Sequence, residues 1–155
     1  MAGDTIDPLG SARDRAWVEH AIAALGDAGY QRGGARLAVI ELLARQDCAM
    51  TAIEIDDRLR AADHAIGRAS VYRTLEQLEE LKLVHRLEMG RGMASYERAD
   101  PGGEHHHHVV CDKCGRVEPF VDPGLERAIG RLEGRVGFEV SEHEVVLHGR
   151  CPRCA

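Results

Sequence analysis

The apolar positions in the first half of the chain recur every three or four residues, which is the spacing of amphipathic helices. This pattern predicts four helices, at residues 11–27, 34–46, 51–62 and 68–81. In the second helix it predicts four buried side chains, those of Leu37, Val39, Ile40 and Leu43. The third helix is expected to begin at Thr51, because Thr51 and Glu54 have the spacing of a capping box.

Two short strand-like segments follow the helices. Residues 83–87 and 94–98 flank Gly90-Arg91-Gly92, a glycine-containing loop that suits a hairpin. Helices followed by a hairpin are typical of a winged helix-turn-helix, whose last helix would enter the major groove of DNA. The exposed face of that helix would carry Arg68, Ser70, Tyr72, Arg73 and Glu76. The same pattern also fits an ordinary amphipathic helix with a solvated polar face.

A change of composition at residues 100–104 indicates a boundary between two domains. Pro101, Gly102 and Gly103 interrupt both helix and strand, so we expect a hinge there. We assign residues 1–99 to the winged helix, with residues 1–10 disordered, and residues 105–155 to a small α/β domain. The fold class predicted for the chain is therefore α+β.

The charge balance limits how the chain could bind nucleic acid. The 155 residues carry a formal net charge of -6, and both halves of the chain are mildly acidic. Any DNA contact must therefore rest on a few arginines and helix N-termini rather than on bulk positive charge. The sequence has no apolar run long enough to span a membrane and no secretory signal, so we expect a cytoplasmic protein without a membrane partner.

Four consecutive histidines, His105 to His108, lead into Val109-Val110-Cys111. The valines favour a strand, in which successive side chains point to opposite faces. His105 and His107 would then face one way, and His106 and His108 would face the other way. The run would serve two separate sites. A purification tag is the alternative interpretation, but tags lie at chain termini and this run precedes a cysteine motif.

The most specific motif is a pair of Cys-x-x-Cys sequences, formed by Cys111 with Cys114 and by Cys151 with Cys154. Each pair can chelate one edge of a tetrahedral Zn²⁺ ion, and four thiolates fill the coordination shell. Such a site is structural, because no position is left open for catalysis. Two disulfides or redox pairs are the alternative, which a cytosolic location disfavours. Cys48 is assigned no role.

These motifs, in this order, resemble the ferric uptake regulator family. The resemblance rests on residues 69–76 (ASVYRTLE), on Leu83-Val84, on the histidine-rich strand and on the two cysteine pairs. It implies a metal-dependent repressor rather than an enzyme, which binds a palindromic operator in double-stranded DNA as a homodimer. The second domain would then be the dimerisation domain. The resemblance also implies that Tyr72 and Arg73 contact the DNA.

The resemblance further implies two histidine-containing metal sites. The regulatory site would lie at the hinge and hold Zn²⁺ or Fe²⁺ through His85, Glu97, His106 and His108. The second site would combine the opposite face of the strand with an acid on the following helix and a late histidine: His105, His107, Glu126 and His143. Weakly occupied surface imidazoles are the alternative for the second site.

Several positions depart from the family pattern. Ala49 occupies a position where iron-sensing and peroxide-sensing members carry a histidine, and Arg98-Ala99 lies where several zinc sensors carry a cysteine. At the start of the second helix, Gly33-Gly34-Ala35-Arg36 replaces the usual Thr-Pro-Gln-Arg of the family. Of this motif only Arg36 matches, and we keep it as an expected DNA contact. These departures leave a zinc sensor slightly ahead of an iron sensor. A peroxide sensor of the same family, a metal buffer and a metallohydrolase stay open, although no HExxH-type helix supports the last.

Overall fold

The computed structural model describes residues 10–90, 92–99 and 106–155. The chain divides into two compact units, with the boundary between residues 103 and 104. The predicted hinge at residues 100–104, and the disorder predicted for residues 1–10 apart from Gly10, fall outside the described residues. None of the described helices has the length and apolar character that a membrane span requires.

Helices form the body of the first unit, and each begins and ends within two residues of the predicted bounds. The predicted capping box at the third helix is confirmed, since Thr51 and Glu54 hydrogen-bond to each other's backbone N–H groups. A second capping box, between Ser11 and Asp14, begins the first helix. The helices are α1 (Ala12–Asp27), α2 (Gly34–Ala44), α3 (Ala52–Ala61) and α4 (Arg68–Glu80).

A three-stranded antiparallel sheet completes the first unit and gives it the predicted winged-helix fold. Its strands, in chain order, are β1 (Met50–Thr51), β2 (Val84–Glu88) and β3 (Ala94–Arg98). The spatial order is β1-β3-β2, so the hairpin predicted from the sequence supplies the two longer strands. The two-residue strand β1 pairs with Ser95 and Tyr96 and joins the start of α3 to the hairpin of β2 and β3, which is the wing of the fold. No hydrophobic periodicity is expressed over so short a segment, and the sequence did not predict it.

The hydrophobic core of the first unit lies between the four helices. Val39, Ile40 and Leu43 of α2 are buried as predicted, but the prediction that Leu37 is buried was wrong, because its side chain is 42% exposed. At 100° per residue, Leu37 lies about 120° around the helix from Leu43, beyond the face that α1 and α4 cover. Leu37 and Ile22 line an apolar groove instead.

The second unit is a small three-stranded sheet with one helix. Its elements are β4 (His107–Cys111), β5 (Val117–Phe120), α5 (Pro123–Val136) and β6 (Val146–Gly149). The central strand β4 runs antiparallel to β5 and parallel to β6. Asp122 caps the N-terminus of α5, and Gly137 ends the helix in the left-handed conformation at φ +69°. The helix contributes no buried residue, so this unit has little apolar core.

A buried polar contact fixes the end of β3 against two helices. The guanidinium of Arg98, only 9% exposed, donates to the carboxylate of Asp14 on α1 and to the carbonyl of Ala44 on α2. One residue further on, the carbonyl of Ala99 accepts a hydrogen bond from Trp17 Nε1 at 3.0 Å. Burial raises the pKa of Asp14, but hydrogen bonds from Arg98 and Ser11 outweigh it and hold that pKa below its usual value.

Arg98→Met is expected to lower the free energy of unfolding by about 2 kcal/mol, because the half-buried carboxylate of Asp14 and the carbonyl of Ala44 lose their charged donor. Urea unfolding followed by the fluorescence of Trp17, the single tryptophan, measures the change. The contribution of Asp14 should be present above about pH 4, the ordinary carboxyl pKa, and be lost as the pH falls through its lowered folded pKa. Arg86→Met is the control, because the side chain of Arg86 is 42% exposed and its ion-pair partner Glu88 is exposed as well. Equal losses in the two variants would contradict the prediction.

Candidate metal centres and DNA-reading helix

The four cysteines of the two Cys-x-x-Cys motifs converge at one end of the second unit. Because β4 and β6 are parallel neighbours, with Cys111 paired to Gly149, both strands end at the same edge of the sheet. Each motif therefore begins at or just after a strand end. The sulfur atoms of Cys111, Cys114, Cys151 and Cys154 all lie within 4.8 Å of one another.

The separations between the sulfur atoms fit a tetrahedral zinc ion better than disulfides. The Sγ atoms of Cys114 and Cys151 are 3.7 Å apart, and all five cysteines of the chain are free. A disulfide needs about 2.05 Å, whereas a Zn–S distance of about 2.3 Å places tetrahedral sulfurs about 3.8 Å apart. The left-handed φ of +77° at Gly115 lets the chain turn directly after Cys114.

The pKa values of two thiols in this cluster are shifted in opposite directions. Hydrogen bonds from the backbone N–H groups of Cys151 and Cys114 lower the pKa of Cys111 to about 6. Contacts with the neighbouring sulfurs of Cys151 and Cys114 raise the pKa of Cys154 to about 12. The first thiolate is therefore stabilised locally, but four thiolates repel one another. A divalent cation supplies the charge that allows all four to ionise.

The histidines at the start of β4 divide between the two faces of the strand. The rings of His106 and His108 lie on one face, with centroids 4.9 Å apart and an edge-to-face arrangement. The ring of His107 points to the opposite face, where it packs against Phe120. The fourth histidine of the run, His105, lies outside the described residues.

Glu126 on α5 bridges two histidines on the face of β4 that carries His107. Its Oε1 lies 2.6 Å from Nε2 of His107, and its Oε2 lies 3.1 Å from Nε2 of His143. One ligand atom from each of these residues lies within 4.8 Å of the others. Two imidazoles and a carboxylate form a donor set that suits Zn²⁺ or Fe²⁺.

The other two predicted regulatory ligands lie on the wing of the first unit. His85 on β2 and Glu97 on β3 are direct partners in the antiparallel register, so their side chains leave the same face of the hairpin. In the second unit, nitrogen atoms of His106 and His108 lie within 4.8 Å of each other. The four predicted ligands thus form two close pairs, one in each unit.

The polar face of α4 carries the predicted DNA contacts. Tyr72 is 40% exposed, and Arg73 is also exposed, with its Nε near the carbonyl of Ala69. Ser70 is half-buried, and its carbonyl accepts a hydrogen bond from Thr74. Arg68, at the first turn, donates to a buried carboxylate on α3.

Arg36 is held against its neighbours in the first unit. Its Nε donates to Gln77 on α4 at 2.8 Å, and its guanidinium lies over the ring of Tyr30 at 5.4 Å. A further bond joins Arg36 to the carbonyl of Gln31. The bond to Gln77 ties the start of α2 to α4, and it does so independently of the predicted DNA contact of Arg36.

Asp56, the buried carboxylate to which Arg68 donates, was not predicted from the sequence. Asp56 is 1% exposed and also contacts Arg60. The only sequence signal was the four-residue spacing between Asp56 and Arg60, which brings two side chains together on a helix. The sequence did not indicate that Asp56 would be buried while its neighbour Asp57 is exposed.

Comparison with known proteins agrees with these features. The model of the ferric uptake regulator family matches residues 27–148. A ferric uptake regulation protein from Legionella pneumophila is 35% identical over 131 residues, which are 84% of this chain and 95% of that protein.

Two solved structures are similar over most of the chain. The Vibrio cholerae ferric uptake regulator has a TM-score of 0.76 and 31% identity, over 83% of this chain and 98% of that one. The Helicobacter pylori regulator has a TM-score of 0.80 and 25% identity, over 96% and 97%. The chain belongs to the ferric uptake regulator family.

Proposed function

We propose that this protein is a metal-dependent transcriptional repressor that binds palindromic operator DNA as a homodimer when Zn²⁺ or Fe²⁺ is bound. One observation carries the proposal. His85 faces Glu97 at the end of the wing, and two close histidines begin the next unit only nine residues after Glu97 in the chain. An ion that took all four ligands would couple the DNA-binding unit to the second unit.

The regulatory ion would act by selecting one arrangement of the two units. In the metal-bound arrangement, the α4 helices of the two protomers would enter successive major grooves of the operator. The hydrogen bonds from Arg98 to Asp14 and Ala44 support such coupling, because they fix β3, the strand that carries Glu97, to α1 and α2. Imidazole and carboxylate ligands accept either Zn²⁺ or Fe²⁺, and the physiological metal is left to experiment.

The DNA-binding part of the proposal rests on α4. Tyr72 and Arg73 are exposed on a helix whose other face is buried, so they can reach base edges and phosphates. The structure of the Vibrio cholerae relative is described as having DNA-binding domains. We assign further DNA contacts to Arg36, Arg68 and Ser70, with residues 1–99 as the DNA-binding domain. A cytoplasmic location follows from this partner.

Each predicted metal site has a separate role in the proposal. The four-cysteine site would hold a structural Zn²⁺ ion and join the C-terminal tail to β4. The second site would use His107, Glu126 and His143, with His105 as a fourth ligand, and would hold α5 against the sheet. The Helicobacter pylori relative is described as having three functional metal-binding sites, the number assigned here.

Dimerisation is assigned to residues 105–155, with residues 100–104 as the hinge. Apolar side chains of α5 and the following segment are exposed, led by Phe138 at 74%, Leu132 at 53% and Val136 at 50%. Leu132 and Val136 are four residues apart, so they form one stripe along the helix. A second copy of the chain would bury this stripe.

Cys111→Ser is expected to remove one zinc ion per chain and to lower the thermal midpoint of unfolding by about 10 °C or more, because zinc bound to the folded state stabilises it. Colorimetric zinc assay and differential scanning calorimetry measure the two effects. Cys48→Ser should keep the zinc content of the wild type. A Cys111→Ser protein with full zinc content would argue against the four-thiolate site.

His106→Ala should leave a folded dimer whose affinity for the operator no longer depends on metal. Allosteric couplings are typically about 5- to 150-fold, and the variant should retain no more than about twofold stimulation. Fluorescence anisotropy with a labelled operator duplex, with and without added Zn²⁺ or Fe²⁺, gives the factor. His64→Ala, on the loop after α3, serves as the matched control. Unchanged metal stimulation in His106→Ala would rule out the assigned ligand.

Leu132→Glu is expected to make the protein monomeric at micromolar concentration, because the proposed interface cannot bury an unpaired carboxylate. Sedimentation velocity measures the mass, and the zinc content checks that the unit is folded. Arg127→Glu, on the opposite face of α5, should remain dimeric. If Leu132→Glu dimerises like the wild type, the interface lies elsewhere.

A further inference from the structure

A buried carboxylate lies beneath the turn between α3 and α4. Asp56 on α3 is 1% exposed, and its Oδ2 is 3.2 Å from Nε of Arg60 and 3.0 Å from Nε of Arg68. Its other oxygen, Oδ1, is buried without a hydrogen-bond partner among the described residues. A single carboxylate oxygen thus anchors two guanidinium groups, one at the end of α3 and one at the start of α4.

The two guanidinium groups remain accessible although their anchor is buried. Both arginine side chains are 57% exposed, so the outer N–H donors of Arg60 and Arg68 face solvent. The bond to Asp56 uses Nε and leaves the far side of each planar group for another acceptor. Two positive charges on one negative charge leave this cluster with a net charge of about +1.

The position of the cluster relates it to the DNA-reading face of α4. Arg68 and Tyr72 are four residues apart, so they lie on the same face of the helix. Arg68 begins α4, and Gly67 before it provides no side-chain cap for the first N–H groups. The positive end of the helix dipole therefore adds to the positive charge of the two arginines.

The chemistry of Asp56 favours a positioning role over simple neutralisation. Burial raises the pKa of Asp56, but hydrogen bonds from Arg68 and Arg60 outweigh it and lower the pKa below its usual value, so the group is ionised at neutral pH. Exposed arginines normally lose much side-chain entropy when they bind a phosphate. Anchoring both at Nε reduces the number of conformers that binding must restrict.

We propose that Asp56 holds Arg60 and Arg68 as a paired clamp for one backbone phosphate of the operator, with Arg60 as a DNA contact and Asp56 as its positioning residue. The proposal rests on the proposed function, because it takes α4 as the DNA-reading helix. The clamp recognises the phosphate and carries no base preference. It would fix the depth and register at which α4 enters the groove.

The test measures affinity against salt concentration for the metal-loaded, full-length protein, using an operator duplex and a scrambled duplex of equal length. Arg60→Gln and Arg68→Gln should each weaken binding to both duplexes by about fivefold and reduce the slope of log K against log salt by about 1, as loss of a phosphate contact requires. Arg58→Gln is the matched control on α3, because Arg58 donates to Gln46 and makes no contact with Asp56. Its slope should equal that of the wild type.

Asp56→Asn distinguishes the positioning of the two arginines by Asp56 from the effect of its negative charge on DNA binding. Removing a negative charge near DNA should tighten binding if only the net charge matters, whereas loss of the anchor should weaken binding to both duplexes. Circular dichroism and zinc content verify that the variant is folded. The clamp is overturned if Arg60→Gln keeps the wild-type slope, or if folded Asp56→Asn binds as tightly as the wild type or more tightly. A wild-type protein with no preference for the operator would count against the proposed function instead, and the slopes on the scrambled duplex would still test the clamp.

Discussion

The second unit has little apolar core of its own. Among its described residues, the buried apolar side chains are Val110 and Cys111, and α5 buries none. A unit of about 50 residues rarely buries enough apolar surface to offset its conformational entropy. In the proposed function, metal coordination and dimerisation would supply what the core lacks. The parallel pairing of β4 with β6 makes this possible, because it brings both Cys-x-x-Cys motifs to one edge.

The histidines at the start of β4 alternate between the two faces of the strand. Successive histidines leave opposite faces of one strand, so a short segment contributes to two donor sets. His107 is tied to α5 through Glu126, whereas His106 and His108 are on the other face of the strand. In the first unit, the bonds of Arg98 join the wing to α1 and to the end of α2. In the proposed function, a displacement of the wing ligands would therefore also act on these two helices.

The parts of the structure that follow from local pattern were predictable from the sequence. The capping box at Thr51 and each Cys-x-x-Cys motif involve residues three positions apart, so both can be recognised in the sequence. The helices α1 to α4 follow the hydrophobic periodicity. Leu37 was assigned wrongly because periodicity does not show how far a neighbouring helix extends over a face. The role of Asp56 depends on a turn that brings α4 back to α3, so it required the tertiary structure. Glu126 and His143 were named through family resemblance, since no local pattern links them to His107.

In the proposed function, one metal ion couples the two units and so controls DNA binding. Thermodynamic linkage makes this coupling reciprocal: operator DNA must tighten metal binding by the factor by which metal tightens DNA binding. The direct measurement is chelator competition for the regulatory Zn²⁺ in the presence and absence of saturating operator duplex, with the structural zinc retained. We predict a tighter zinc affinity on the operator, by about fivefold or more. Equal zinc affinities with and without the operator would mean that the regulatory ion does not control DNA binding.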